Sequence, residues 1–403
     1  MRAMILTQVL PYPPDSGPKV KTWNVIKYLS KKHDLTLVSF TRGDQSKEIE
    51  CLKQVCARVE AVSIRRTILH ESMALVRSFL NGQPWMMTRD DRATMRHLVD
   101  RLANENRFDV AHADQMNMAQ YAQRVKTARK LMDAHNALWQ LYRRLASTLG
   151  RGPRRWMLER DWKLMKRYEG NVCRQFDMVT VVSEEDRLAL SEAMGGILNA
   201  TIIPITVDVD EFPVIERQPN ANHILSIGTM YWPPNIEGML WFLKEVFPLI
   251  QEKIPDVQFD IVGARPPAEI QAYDGMNEGV HVHGYVSDPL PIITQAGVMV
   301  VPLHAASGMR VKILNAMSQA LPIVTTTIGC EGIDVEHDRH LRIADTPEQF
   351  SNDVIDLLKS PDKARQLGWA GRELIEKEYD YRIACRPLDD LYSGITPSKI
   401  DRV

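Results

Sequence analysis

Two cations stand where a loop turns into a helix in the stretch 300–327, which reads VVPLHAASGMRVKILNAMSQALPIVTTT. The small-residue run Ala305, Ala306, Ser307, Gly308 leads into apolar helical spacing that opens near Met309, with Arg310 and Lys312 in the expected first turn. Cations are electrostatically wrong there, because the free N–H groups and the macrodipole already make that end positive. A bound anion removes the conflict. Diphosphate fits, with backbone N–H groups from Ser307 to Arg310 cradling it and two side chains neutralising it. The same residues also read as a loop that needs glycine, followed by two solvated cations. His135 follows the apolar run Lys130 to Ala134 and has a side chain able to pass protons near neutrality, or to cap a helix beginning near Ala137. His112 and Asp114 alternate onto one face of a strand end, as ligand-facing groups or as polar residues that finish the strand. His281 and His283 share a face too, but no third ligand stands at metal spacing, so ordinary packing is expected.

These residues need elements to hold them. Short apolar runs at Ala3–Val9, Leu35–Phe40, Val59–Ile64, Asp109–Ala113, Lys130–Ala134 and Met178–Val182 read as strands. They alternate with helical patterns at Val20–Lys31, Asp90–Asn104 and Glu184–Ala193, which argues for parallel βαβ units. A polar, proline-containing pause at Pro204–Asn222 precedes a second series. Strands are expected at Ile224–Ile227, Gln258–Val262, Val280–Gly284, Gly297–Val301 and Pro322–Thr326, and helices at Pro234–Ile250, Asp288–Gln295 and Gly308–Ala320. The segment Thr346–Tyr392 is nearly all helical. The fold class is therefore α/β: two doubly wound parallel-sheet domains, expected to face each other across a cleft.

Composition narrows the function. In 403 residues, 50 Lys plus Arg balance 51 Asp plus Glu, and 44% hydrophobic with 25% charged residues describe an ordinary globular protein. A nucleic-acid-coating or disordered chain is disfavoured. The longest nearly apolar stretch, Ala296–Leu303, falls short of the roughly eighteen residues a bilayer span needs. Five cysteines without a Cys-x-x-Cys pair indicate neither a disulfide framework nor a zinc clip, and a cytoplasmic location is expected. One segment differs in charge: from Arg143 to Arg174 ten basic residues face three acidic ones, with Trp156, Trp162 and Tyr168 among them. It reads either as a helix packed on the first domain or as contact with the inner face of a membrane, with an acidic partner as a third reading.

The run 300–327 resembles the donor-site segment of the large retaining family of GT-B glycosyltransferases, in a subgroup reading roughly G-S-G-x-R-x-K-I-L-E-A-M-A-x-G-x-P-V-V. Other parts agree in order. Pro11 to Gly17 looks like the subgroup's opening glycine loop, Asp133-Ala134-His135-Asn136 like its D-x-H-N turn, and Val181 to Asp186 like its V-S-E-E-D segment. Gly228 to Asn235 resembles its G-T-M-x-W-x-P-N loop, and Gly284-Tyr285-Val286 its G-[FY]-V turn. The resemblance implies sugar transfer from a nucleoside-diphosphate sugar, a UDP-sugar by expectation, to a glycan, lipid-linked or small-molecule acceptor with retention of configuration. It implies an acceptor-side Rossmann-like domain at 1–205, a nucleotide-sugar domain at 206–375 and a helical segment at 376–403 packing back toward the first. By likeness Arg310, Lys312 and His135 are catalytic. Gly17, Gly228, Thr229, Gly284, Tyr285, Val286, Ser307, Gly308, Met309 and Asn315 bind the donor, and His112 and Asp114 lie on the acceptor side. No metal and no further cofactor is expected, because two cations stabilise the leaving diphosphate.

Several positions depart from that pattern. Asparagine at 315 stands where relatives carry a glutamate that accepts from the ribose hydroxyls, and loss of that charge is expected to weaken donor binding roughly tenfold to a hundredfold. Ile205-Thr206 replaces a usual Asn-Gly, and Pro18 a second glycine. The departures keep open a second reading, a catalytically impaired glycosyltransferase-like binding protein, although the cations and His135 are all present. A dinucleotide oxidoreductase would need G-x-G-x-x-G after the first strand, and Leu10 to Pro18 supplies only Gly17.

Overall fold

The computed structural model describes residues 1–216, 222–275, 279–305 and 308–394. The chain divides into two compact units. The first spans Met1–Ile205 and resumes at Ala384, and the second is Thr206–Ile383. In the first unit a parallel sheet contains β1 (Arg2–Thr7), β2 (Asp34–Thr41), β3 (Arg58–Ser63), β4 (Val110–Asp114), β5 (Arg129–Ala134), β6 (Met178–Val181) and β7 (Thr201–Ile202), in the order β3-β2-β1-β4-β5-β6-β7. The order reverses between β1 and β4, the switch point at which open α/β sheets bind ligands.

Alternation along the strands separates two faces. Met4, Leu6, Ala111, Ala113, Met132, Ala134, Val179 and Val181 point into one core with Met95, Val99, Leu102 and Trp139 from the covering helices. The intervening residues include polar ones, and Asp114, Asp133 and Thr180 are direct cross-strand partners in one row. The helix Gly17–Leu29 contributes buried Lys21, Val25 and Ile26, and the returning chain adds Tyr392, whose hydroxyl lies 2.9 Å from His112 Nδ1.

The second unit repeats the plan with β8 (His223–Ile227), β9 (Gln258–Val262), β10 (Val280–Gly284), β11 (Ala296–Val301), β12 (Ile323–Thr325) and β13 (Arg342–Ile343), ordered β10-β9-β8-β11-β12-β13 and again parallel. Its switch point falls between β8 and β11. A core of Ile224, Phe259, Ile261, Val298, Val300 and Val324 packs against Phe242, Phe247, Phe350 and Val354. The expected single helix 234–250 forms instead as Pro233–Trp241 and Phe247–Lys253, joined by a wider π-type turn at Phe242–Val246. Pro248 explains the widening, since its ring has no N–H to donate and crowds the carbonyl one turn back. The helix expected to open near Met309 begins at Val311 and ends at Ser318.

The basic segment 143–174 covers two helices, Leu138–Thr148 and Pro153–Gln175. Met165, Val172 and Cys173 enter the core, and Trp162 and Tyr168 pack against it. Buried Glu169 accepts N–H bonds from Leu138 and Trp139 at 2.8 and 3.0 Å, so it caps the preceding helix, and burial pushes its carboxyl up to about 8. Trp156 remains exposed.

Gly238 lets its helix press onto the end of β11, because a Cβ there would lie 2.0 Å from the Pro302 carbonyl oxygen. Gly238→Ala is therefore expected to destabilise the protein by about 1–3 kcal/mol, as overpacking does, despite alanine's better helix propensity. Thermal melting of the variant checks this, and an unchanged or raised midpoint would show that the contact is not tight.

Candidate active site

Two clusters stand at the two switch points, one in each unit. In the first unit the centre is a buried ion pair. Lys21, fully buried on the helix Gly17–Leu29, places Nζ 2.5 Å from Asp133 Oδ1 on β5. Thr180 Oγ1 donates to the same oxygen at 2.7 Å, and Thr22 Oγ1 donates to Asp114 Oδ1 at 2.8 Å. His135 Nε2 lies 3.0 Å from Asp114 Oδ1 and 3.7 Å from Asp133 Oδ2. Two carboxylates thus meet one ammonium and one imidazole.

The electrostatics follow from that count. Burial opposes charge on His135, but Asp114 beside it wins and lifts the ring to about 9, with Lys21 acting in the opposite sense. Burial likewise disfavours the Asp133 carboxylate, and Lys21 overrides it, aided by His112 and His135, to hold it well below the usual range. His135 is therefore an imidazolium at neutral pH, a proton and hydrogen-bond donor rather than a base. His112, expected to face an acceptor, has a buried side chain with Nε2 3.9 Å from Asp133 and Nδ1 on Tyr392. The ring thus meets Tyr392 and approaches Asp133 within the first unit. Asp114 is likewise buried, engaged by Thr22 and His135. Gly17 is the first residue of the helix that carries Lys21.

Asp114, Asp133 and His135 offer ligand atoms within 4.8 Å of one another, a spacing that could hold a metal ion. Lys21 fits that position poorly with a metal, because its ammonium already neutralises Asp133 and would repel a second cation.

In the second unit the loop after β8 meets the start of the helix Val311–Ser318. Lys312 Nζ donates to Asn235 Oδ1 at 3.3 Å, while Asn235 Nδ2 donates to the Thr229 carbonyl at 2.9 Å. A Cβ on Gly228 would lie 3.3 Å from both Lys312 Nζ and Asn235 Nδ2, so glycine leaves this corner open. Burial, and then the neighbouring Arg310, push Lys312 down to about 8. Arg310 stands one residue before the helix rather than in its first turn, buried, with its guanidinium donating to the Gly308 and Ile328 carbonyls and Glu331 4.0 Å away. Met309 is buried beside it. Gly308 and Gly284 both hold positive φ, 76° and 66°, a conformation that favours glycine. Tyr285 is exposed and Val286 half-buried, and Ser307 lies outside the described residues.

Asn315 and Lys312 line a cavity of about 490 Å³ with Ile227, Leu290, Glu211 and Asp288. Among the described residues His281 and His283 belong to no group spaced to hold a metal; they sit on Gln258 and Asp260 at 2.8 and 2.7 Å.

Residues 221–360 match the family model described as glycosyl transferases group 1. That stretch, about a third of the chain, is similar to a group 1 glycosyltransferase domain. Both the Gly228 corner and the Lys312 helix lie within it. Across 94% of its length the chain is 19% identical to an uncharacterized 44.6 kDa protein in the cps region of Klebsiella pneumoniae, covering 96% of that protein. Among solved structures, Anabaena HepE in complex with UDP is similar at TM-score 0.68 and 14% identity, over 98% of this chain and 100% of that one. HepE with UDP-glucose gives TM-score 0.66 at 13% identity, over 98% and 100%. A glycosyltransferase from Rickettsia africae gives 0.69 at 14%, over 99% of each chain. The fold is GT-B.

Sequence reasoning missed Lys21, Asp133 and Asn235 as site residues. Lys21 sits four residues into a helix whose start already repels cations, the same signal that exposed Arg310 and Lys312.

His135 should titrate with a midpoint near 9 when its ring is followed by NMR. Its folded value lies above the ordinary 6.5, so its contribution to stability is complete below about pH 6.5 and lost as pH rises through about 9. Asp114→Asn should lower the midpoint, since burial then acts against the charge with less opposition. An unchanged midpoint would assign the charge to another partner.

Proposed function

We propose that this glycosyltransferase moves a sugar from a UDP-sugar to a glycan, lipid-linked or small-molecule acceptor with retention of anomeric configuration and without a metal cofactor. The observation that carries the reading is the corner formed by Gly228, Asn235, Lys312 and Arg310. Burial disfavours the charge of both cations, and Arg310 disfavours that of Lys312 further, at a helix start that is already positive; a diphosphate relieves both conflicts. As the sugar leaves, negative charge builds on the departing diphosphate, and Lys312, fixed by Asn235, is placed to meet it. UDP is the proposed nucleotide because structures sharing this fold are described as complexes with UDP and UDP-glucose. The cavity beneath Asn315 and Lys312 is the proposed seat of the nucleoside. In the first unit the charged His135 supplies a hydrogen bond to a sugar or phosphate oxygen and does not act as the base.

Lys312→Ala should lower turnover about a hundredfold to a thousandfold, as loss of a positioned charge stabiliser commonly does. Its melting temperature should stay unchanged or rise, because a desolvated cation has been removed. Assays of UDP release across a panel of UDP-sugars, with NMR of the product's anomeric proton, test donor and stereochemistry together. Near-normal turnover in the variant, or an inverted product, would overturn the reading.

Asn315→Glu is expected to tighten UDP about tenfold by restoring a charged acceptor, seen by calorimetry as a lower Kd. Glu211 and Asp288 line the same cavity and oppose a third carboxylate, while Lys312 favours it. Unchanged affinity would remove the nucleoside from this cavity.

A further inference from the structure

The helix Ile68–Asn81 has its polarity turned inside out. Its buried residues are Ala74 and Ser78, both small, while Ile68, Leu69, Met73, Val76, Phe79 and Leu80 are exposed, Ile68 to 87% and Leu80 to 80%. Leu69, Met73, Val76 and Leu80 follow each other at steps of four, three and four, so they form one stripe along the outer face, roughly 16 Å long at 1.5 Å per residue. An ordinary surface helix turns such a stripe toward the core.

The stripe continues onto a second element of the same unit. Phe79 stacks on exposed Trp156 with ring centroids 6.0 Å apart, and the Arg160 guanidinium sits over Phe79 at 4.0 Å while donating to the Ser78 carbonyl at 2.7 Å. Arg160 therefore ties the two helices together. Met157 is exposed next to Trp156. Exposed Arg77, 3.7 Å from Asp91, lies on the same helix, and exposed Arg65, Arg151 and Arg154 lie within five residues along the chain of Ile68 or Trp156. Between 143 and 163 seven basic residues stand against two acidic ones. Among the described residues no helix is long and apolar enough to cross a membrane.

We propose that the ridge formed by the helix Ile68–Asn81 and Trp156 is a docking surface for an anionic lipid bilayer, with its apolar side chains seated at the headgroup boundary and its arginines on the lipid phosphates. Charge decides the occupant. A second copy would bring the same excess of cations to the interface, seven basic against two acidic residues between 143 and 163. An anionic headgroup layer neutralises them, at about 1 kcal/mol per cation near the surface. A large apolar stripe with a tryptophan beside it and basic residues at its rim is the pattern of a helix lying in an interface plane. The segment 143–174 therefore contributes Trp156 and charge, and the apolar seat comes from the helix Ile68–Asn81, which the sequence pattern alone does not single out.

The test uses the full chain and sedimentation with vesicles of phosphatidylcholine alone or mixed with phosphatidylglycerol. Binding to the mixed vesicles is expected, with loss in high salt because exposed charges are screened. The double variant Leu69→Ser with Leu80→Ser should weaken partitioning at least about tenfold per leucine, the lower end of burying such a side chain. Both residues are exposed, so melting should be unaffected. Arg151→Glu with Arg154→Glu should weaken binding to the mixed vesicles and leave the neutral ones unchanged. No binding, equal binding to neutral vesicles, or binding indifferent to the leucine pair would overturn the proposal. A dimer in solution that the leucine variant dissolves would also overturn it, giving the face to a second copy.

Discussion

The first unit depends on a charge that water never reaches. Lys21 and Asp133 are both buried, and desolvating two ions costs several kcal/mol each before their attraction returns anything. The arrangement persists because no charge is left alone. Asp133 is met by Lys21 and Thr180, Asp114 by Thr22 and His135, and the whole is neutral at pH 7 with two positive and two negative groups. The network also fixes geometry. It pins the helix Gly17–Leu29 to β5 and β6 and, through His112 and Tyr392, holds the returning end of the chain against the sheet. Removing one member strands the others, so the polar face behaves as a unit.

The second unit places two cations close together, Arg310 and Lys312. Lys312 has Asn235 as a neutral partner, and burial first, then the like-charged Arg310, weaken its hold on its proton. Arg310 is quietened by carbonyls and by the more distant Glu331. Backbone shape leaves room there: Gly228 clears the corner beside Lys312, and Gly308 takes a left-handed conformation just before the helix. One unit thus buries cations beside carboxylates, and the other buries Lys312 beside a neutral amide and a second cation.

Much of this was legible in the order of residue types. Short continuous apolar runs mark the principal strands and helical spacing the helices between them, because burial on both faces of a parallel sheet leaves few polar residues in a strand. Arg310, Lys312 and His135 stand out by chemistry at strand and helix ends. The helix Ile68–Asn81 did not, since its apolar residues have helical spacing whichever way they face. The short strands β7 and β13 carry two residues each, too few for a period. Lys21 was passed over for a related reason: a lysine on an amphipathic helix is ordinarily solvated, and its place near the helix start does not by itself say that it turns inward.

The sequence by itself determined the α/β class, the two repeated series of strands and helices, and the residue types at each switch point, because alternation and local spacing are properties of neighbours in the chain. Only the tertiary structure decided which charges meet. Lys21 and Asp133 are 112 residues apart, and Lys312 and Asn235 are 77 apart. Their pairing depends on strand order, which sets who stands next to whom across the sheet. The same holds for exposure: whether Leu69 or Ala74 faces water is settled by what packs against the helix.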